Sequence, residues 1–98
     1  MQKMKNEANI DFLYEAILSL ESKEECAAFF TDLCTVNELQ SISQRVVVAK
    51  MLKENHVYSD IANATGASTA TISRVNRSLS YGAGGYEVVF DRMKKDEQ

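Results

Sequence analysis

From Leu39 to Leu52 the chain is apolar on almost every side of the helix it would form. Leu39, Ile42, Val46 and Ala49 make one stripe at helical spacing, and Val47, Val48, Met51 and Leu52 widen it until little polar surface is left. A helix that is apolar on most sides has to be covered on most sides. The chain has 98 residues, so a single small domain spanning 1–98 with a limited core is expected. Such a chain cannot easily cover both faces of this helix, and the natural cover for the second face is another copy of itself. The Val46-Val47-Val48 run has strand propensity, which makes a buried strand the competing reading. Both flanks favour helix, and helix is the reading adopted.

The rest of the chain reads as further helices. There is no proline, and three of the four glycines fall between Tyr81 and Tyr86. Residues 1–7 are polar and expected to fray. Ile10, Leu13, Tyr14, Ile17 and Leu20 recur at helical spacing behind Asn9, a candidate cap. Ser22 with Glu25, and Thr35 with Glu38, have the spacing of capping boxes. The second box opens the long helix, expected to run to Glu54 or Asn55. Residues 9–55 thus form the expected dimerisation helices. A Gly-rich hinge over 80–85 and a last amphipathic helix over 86–95, carrying Val88, Val89, Phe90 and Met93, complete about six helices in an all-α fold.

Charge is unevenly distributed. The net charge is −3, yet the acids concentrate in the first forty residues, at Glu7, Asp11, Glu15, Glu21, Glu24, Glu25, Asp32 and Glu38. Between Ile61 and Tyr86 there is no acid at all. The middle of the chain could therefore face phosphates while the N-terminal part stays acidic. Cys26 and Cys34 have no CxxC or Cys/His spacing, so no metal site is expected and both are read as reduced core thiols. No signal-peptide pattern or membrane-spanning apolar run is present, so a cytoplasmic location without membrane attachment is expected.

The segment from Tyr58 to Leu79 carries the functional signal. A short helix beginning near Ser59 or Asp60 is expected to end at Gly66, where the backbone must turn left-handed. Ser68 can cap a second helix reaching Leu79. Ala62 is small enough for close approach, Ile61 and Ile72 can form the core between the two helices, and Val75 can pin the second one. These features fall in the order that a helix-turn-helix over 58–79 requires. An ordinary helical hairpin with a glycine cap is the alternative. The exposed positions of the second helix, Ser68, Thr69, Ala70, Ser73, Arg74, Asn76 and Arg77, are small, short hydrogen-bonders or arginines, with no carboxylate among them. Small side chains permit close approach to base edges, and arginine suits guanine or phosphate.

The stretch from Leu33 to Leu79 resembles the Trp repressor superfamily, and more narrowly its YerC/YecD branch. The matching residues are Leu33, Thr35, Glu38, Arg45-Val46, Leu52, Gly66-Ala67, Ala70-Thr71-Ile72-Ser73-Arg74 and Ser78-Leu79. The resemblance implies an intertwined all-α homodimer with two DNA-reading heads, repressing transcription under small-molecule control. It also implies that Arg45 and Arg74 flank a planar effector, with Thr35, Thr71 and Ser78 at other positions of the pocket and tryptophan as the candidate corepressor. Two departures stand out. Val75 occupies the place of a glycine in tryptophan-binding members, and its stiff branched side chain is expected to fill the slot. The linker before Ser59 is also one residue shorter, which would shift the reading head. The expectation is a regulator that binds DNA without free tryptophan, its effector unknown.

Two other function classes compete. One is a helix-turn-helix module that binds protein, or binds DNA architecturally without an effector; the acidic N-terminal half and the two lone arginines of the second helix favour it. The other is an enzyme, which the chain gives little means to be. His56, the sole histidine, has no nucleophile partner and is expected at the C-terminus of the long helix. Gly82-Ala-Gly-Gly85 lacks the Lys-Ser/Thr of a phosphate loop.

Overall fold

The computed structural model describes residues 6–97, and among them are six α-helices and no strand. They are α1 (Asn6–Leu18), α2 (Lys23–Leu33), α3 (Val36–Lys53), α4 (Tyr58–Thr65), α5 (Thr69–Tyr81) and α6 (Gly85–Asp96). The Val46-Val47-Val48 run is helical, so its flanks override its strand propensity. The chain divides into two compact units between Leu39 and Gln40. No helix is long and apolar enough to cross a membrane among the described residues.

Local hydrogen bonds set the helix boundaries of the N-terminal unit. Ser22 is extended and its Oγ accepts from the Glu25 N–H at 3.1 Å, which starts α2. The Glu25 carboxylate reaches back to the Glu21 N–H, one residue before the cap. At the next boundary the box is fully reciprocal. Thr35 Oγ1 accepts from the Glu38 N–H at 3.0 Å, and Glu38 Oε1 accepts from the Thr35 N–H at 2.8 Å. Hydrogen bonds from the Thr35 backbone and then its side chain favour the charged carboxylate and hold Glu38 below its ordinary pKa.

Several sequence expectations need correction here. Helix α1 begins at Asn6, so Asn9 is a helical residue and not the cap, and Asn6 and Glu7 are ordered in the helix. The expectation of fraying for residues 1–5 lies outside the described residues. Helix α1 ends at Leu18, where Ser19 Oγ donates to the Ala16 carbonyl, and Leu20 lies beyond it. Neither α1 nor α2 buries a single residue within the chain. In consequence Cys26 is exposed and Cys34 half-buried, both free, so Cys26 is not a core thiol of the single chain.

The C-terminal unit holds the core. Val48, Ala49, Ile61, Ala67, Ile72 and Val75 are buried together, with Met51, Leu52, Ala62, Leu79, Tyr86 and Phe90 packed against them. Helix α3 supplies the floor of this cluster on one face. Its apolar residues Ile42, Val46 and Val47 remain 37–48% exposed. The long helix stops at Lys53, earlier than its composition suggests. The His56 N–H reaches the Met51 carbonyl at 3.1 Å and the Asn55 N–H reaches Leu52 at 3.0 Å, with Asn55 left-handed at φ 66°. This pair of bonds is a Schellman closure with asparagine in the glycine position. His56 therefore lies past the helix, its Nε2 4.0 Å from the Glu54 carboxylate.

Helix α5 continues to Tyr81, two residues beyond the expected end. Gly82 then closes it, its N–H donating to the Ser78 carbonyl at 2.9 Å. Any Cβ at Gly82 would collide with that same Ser78 backbone. Helix α6 starts at Gly85, one residue earlier than expected, behind a left-handed Gly84. It lays Tyr86 and Phe90 on the core, their rings stacked with centroids 6.0 Å apart. Lys53 of α3 pairs with Glu87 of α6 at 2.6 Å. An exposed pair of this kind contributes about 0–1 kcal/mol, so the aromatic packing matters more.

The core sits under α5, and Ile72 has no exposed surface. Replacing Ile72 with Ala should destabilise the fold by about 2–5 kcal/mol in chemical denaturation, because a cavity opens between α4, α5 and α3.

Candidate nucleic-acid interface

Helices α4 and α5 form the expected helix-turn-helix. Ile61 of α4 and Ile72 and Val75 of α5 are buried in one cluster with Val48 and Ala49 of α3. Ala62 is half-buried against the same cluster, the small residue that lets α5 approach. Gly66 takes φ 74° and ψ 5°, and its N–H closes α4 on the Ala62 carbonyl at 2.8 Å. A residue with a Cβ would meet no neighbour there, but it would have to hold a left-handed backbone.

Ser68 caps α5 as its position suggests. It is extended, and its Oγ accepts from the Thr71 N–H at 3.1 Å while donating to Thr71 Oγ1. The first turn of α5 carries no acidic side chain. The positive end of the helix dipole is therefore open to an anion.

The burial pattern of α5 separates its faces. Ile72, Val75 and Leu79, with the half-buried Thr71, face the core. Ala70, Ser73 and Arg77 follow the i, i+3, i+7 spacing on the opposite face, with Thr69 and Arg74 flanking them, and all five are exposed. Neither Arg74 nor Arg77 has a carboxylate within 4 Å among the described residues. A stripe of small, hydroxylated and basic groups is thus presented by a helix whose back is locked in the core. Tyr81 extends the stripe, four residues past Arg77 and 86% exposed. The sequence reading missed it by ending the helix at Leu79, although the i+4 spacing from Arg77 was visible.

The residues assigned to an effector pocket fall in both units. Thr35 belongs to the N-terminal unit and its hydroxyl is engaged in capping α3. Arg45 and Arg74 are exposed, on α3 and α5 respectively. Thr71 is half-buried and held by Ser68. Val75 is 2% exposed, its side chain part of the core. Ser78 is exposed at the rim of a mostly apolar hollow shared with Val46, Leu79, Tyr86 and Phe90.

Comparison with known proteins gives one answer. The family model described as Trp repressor protein matches residues 8–94. The uncharacterised protein YerC of Bacillus subtilis is 56% identical over 88 residues, covering 90% of this chain and 85% of YerC. The crystal structure of a candidate Trp repressor from Staphylococcus aureus superposes with a TM-score of 0.86 at 54% identity, covering 94% of this chain and 96% of that one. A TrpR-like protein from Eubacterium eligens gives a TM-score of 0.86 at 57% identity, with 89% and 90% covered. Matched along nearly its whole length in sequence and in backbone, with the helix-turn-helix at its centre, this chain belongs to the Trp repressor family.

Proposed function

We propose that the chain is a sequence-specific DNA-binding transcriptional regulator, a cytoplasmic repressor that reads an inverted-repeat operator through α5. The observation that carries this reading is the exposed, carboxylate-free stripe of Ala70, Ser73 and Arg77 on a helix held from behind by Ile72 and Val75. The capped N-terminus of α5, with Ser68 and Thr69, approaches the phosphates, while Ser73, Arg74 and Arg77 enter the major groove. Phosphate contacts give register, and the arginines and hydroxyls give sequence preference. No step of catalysis enters the reading. Arg77→Ala should lower operator affinity about fivefold to 150-fold, a loss of about 1–3 kcal/mol, and leave the circular dichroism unchanged. Equal binding by this variant in a gel-shift titration would remove α5 from the groove.

The same reading includes a homodimer built on α1, α2 and α3. Its support is the apolar surface that the chain leaves open: Phe12 is 64% exposed, Leu18 83%, and Val36 73%, while α1 and α2 bury nothing. Exposed apolar surface on this scale in a short soluble chain is the mark of a protein interface. Two copies would present two α5 helices about 34 Å apart, which fits half-sites one helical turn apart. Sedimentation at micromolar concentration should give a dimer, and a folded monodisperse monomer would contradict it.

Tryptophan is proposed not to act as corepressor. Burial of Val75 in the core supports this, since the place given to a glycine in tryptophan-binding members is occupied by a packed side chain. Forcing a ligand against it would cost about 1–3 kcal/mol, or about one to two decades of affinity. Calorimetric titration with tryptophan should show no saturable micromolar binding, and added tryptophan should leave the DNA complex unchanged.

A further inference from the structure

The corner between α4 and α5 is tied at the Gly66 and Ala67 N–H groups and at the Thr65 carbonyl. The Gly66 N–H goes to the Ala62 carbonyl at 2.8 Å. Thr65 Oγ1 donates to the Ile61 carbonyl at 2.7 Å and accepts from the Ala67 N–H at 3.1 Å. The carbonyl of Thr65 is served from outside the motif. Gln44, on α3 and 21 residues earlier, donates its Nε2 to it at 3.0 Å. Apart from the Lys53–Glu87 ion pair, every other side-chain hydrogen bond among the described residues spans four residues or fewer. This one bond is the directional tie between α3 and the corner from which α5 departs.

We infer that Gln44 is a positioning residue, whose hydrogen bond to the Thr65 carbonyl sets the angle at which α5 presents its outer stripe. The inference rests on the DNA-reading role proposed above. The apolar cluster of Val48, Ile61 and Ile72 holds α3, α4 and α5 together, but apolar contact is non-directional and permits small rotations. A hydrogen bond weakens steeply off its axis and so restricts rotation. Gln44 and Thr65 are both half-buried beside an open groove that Gln40, Ser43, Val47 and Ala64 also line. Water can therefore replace the amide donor if it is removed, which loosens the corner without unfolding it. Base readout depends on the placement of α5, whereas phosphate attraction tolerates a rotated helix.

The 98-residue chain is compared with Gln44→Met and Gln44→Lys. Methionine keeps the length and helix propensity of glutamine but has no donor. Lysine keeps a donor of similar reach. The probes are a duplex selected from a random library by the wild-type protein and a scrambled duplex of the same length. In Gln44→Met the ratio of selected to scrambled affinity should fall about threefold to tenfold, the weight of one hydrogen bond. Affinity for the scrambled duplex, its salt slope and Tm should stay at wild-type values. Amide exchange at Gly66 and Ala67 should quicken, while that of Ile72 and Val75 should not. Gln44→Lys should restore both the exchange protection and most of the ratio, which cancels the added charge. A wild-type ratio and wild-type exchange in Gln44→Met would overturn the inference, as would parallel loss on both duplexes with a lowered Tm. If the wild-type chain selects no duplex, the DNA-reading proposal fails, and exchange at Gly66 and Ala67 alone decides whether Gln44 holds the corner.

Discussion

Beneath α5 lie Ile61, Ile72 and Val75, closed from below by Val48 and Ala49 of α3, and the rest of the C-terminal unit is arranged around that contact. The contact requires α4 and α5 to approach closely, which Ala62 permits and the left-handed Gly66 makes possible. With Ile72 and Val75 turned inward, the helical repeat leaves no choice about what faces out: Ala70, Ser73 and Arg77. The chemistry offered to a partner is thus fixed by burial on the opposite side of the same helix. Tyr86 and Phe90 of α6 seal the edge of the cluster, so the helix that follows α5 supports it from behind.

The N-terminal unit is organised differently. Its helices are delimited by side-chain caps, at Ser22 and at Thr35 with Glu38, and not by burial. Caps of this kind are worth about 1 kcal/mol each, enough to choose where a helix starts but not enough to keep it folded in isolation. Unit and cap together describe a segment whose local conformation is encoded and whose packing is left to be completed by apolar contact.

Much of this architecture could be read directly from the residues, because it depends on short-range rules. Capping boxes, the Gly66 turn and the inward spacing of Ile61, Ile72 and Val75 each involve residues close in sequence. Misplacements arose where the deciding interaction was unusual or remote. Helix α3 ends before its expected boundary because the Schellman closure uses Asn55 where glycine is the usual signal. Helix α5 runs past its expected boundary to Tyr81 because Leu79 is the last core-facing residue and periodicity falls silent beyond it. Composition points Cys26 to a core, yet α2 buries no residue. Gln44 could not be found at all, since nothing in a glutamine on a helix names a carbonyl 21 residues away.

The three glycines after Tyr81 look interchangeable in the sequence, but the backbone treats them differently. Gly85 has open space and an ordinary conformation, so drift to alanine or serine there is nearly silent. Gly84 has the space but a left-handed φ of 82°, which asparagine or aspartate could share. Gly82 has neither alternative, because the last turn of α5 folds its own Ser78 carbonyl against the place where a side chain would begin. Among descendants of this sequence, the hinge should therefore vary from its C-terminal end inward. The glycine touching α5 should be the last to change, as a fossil of how tightly that helix is closed.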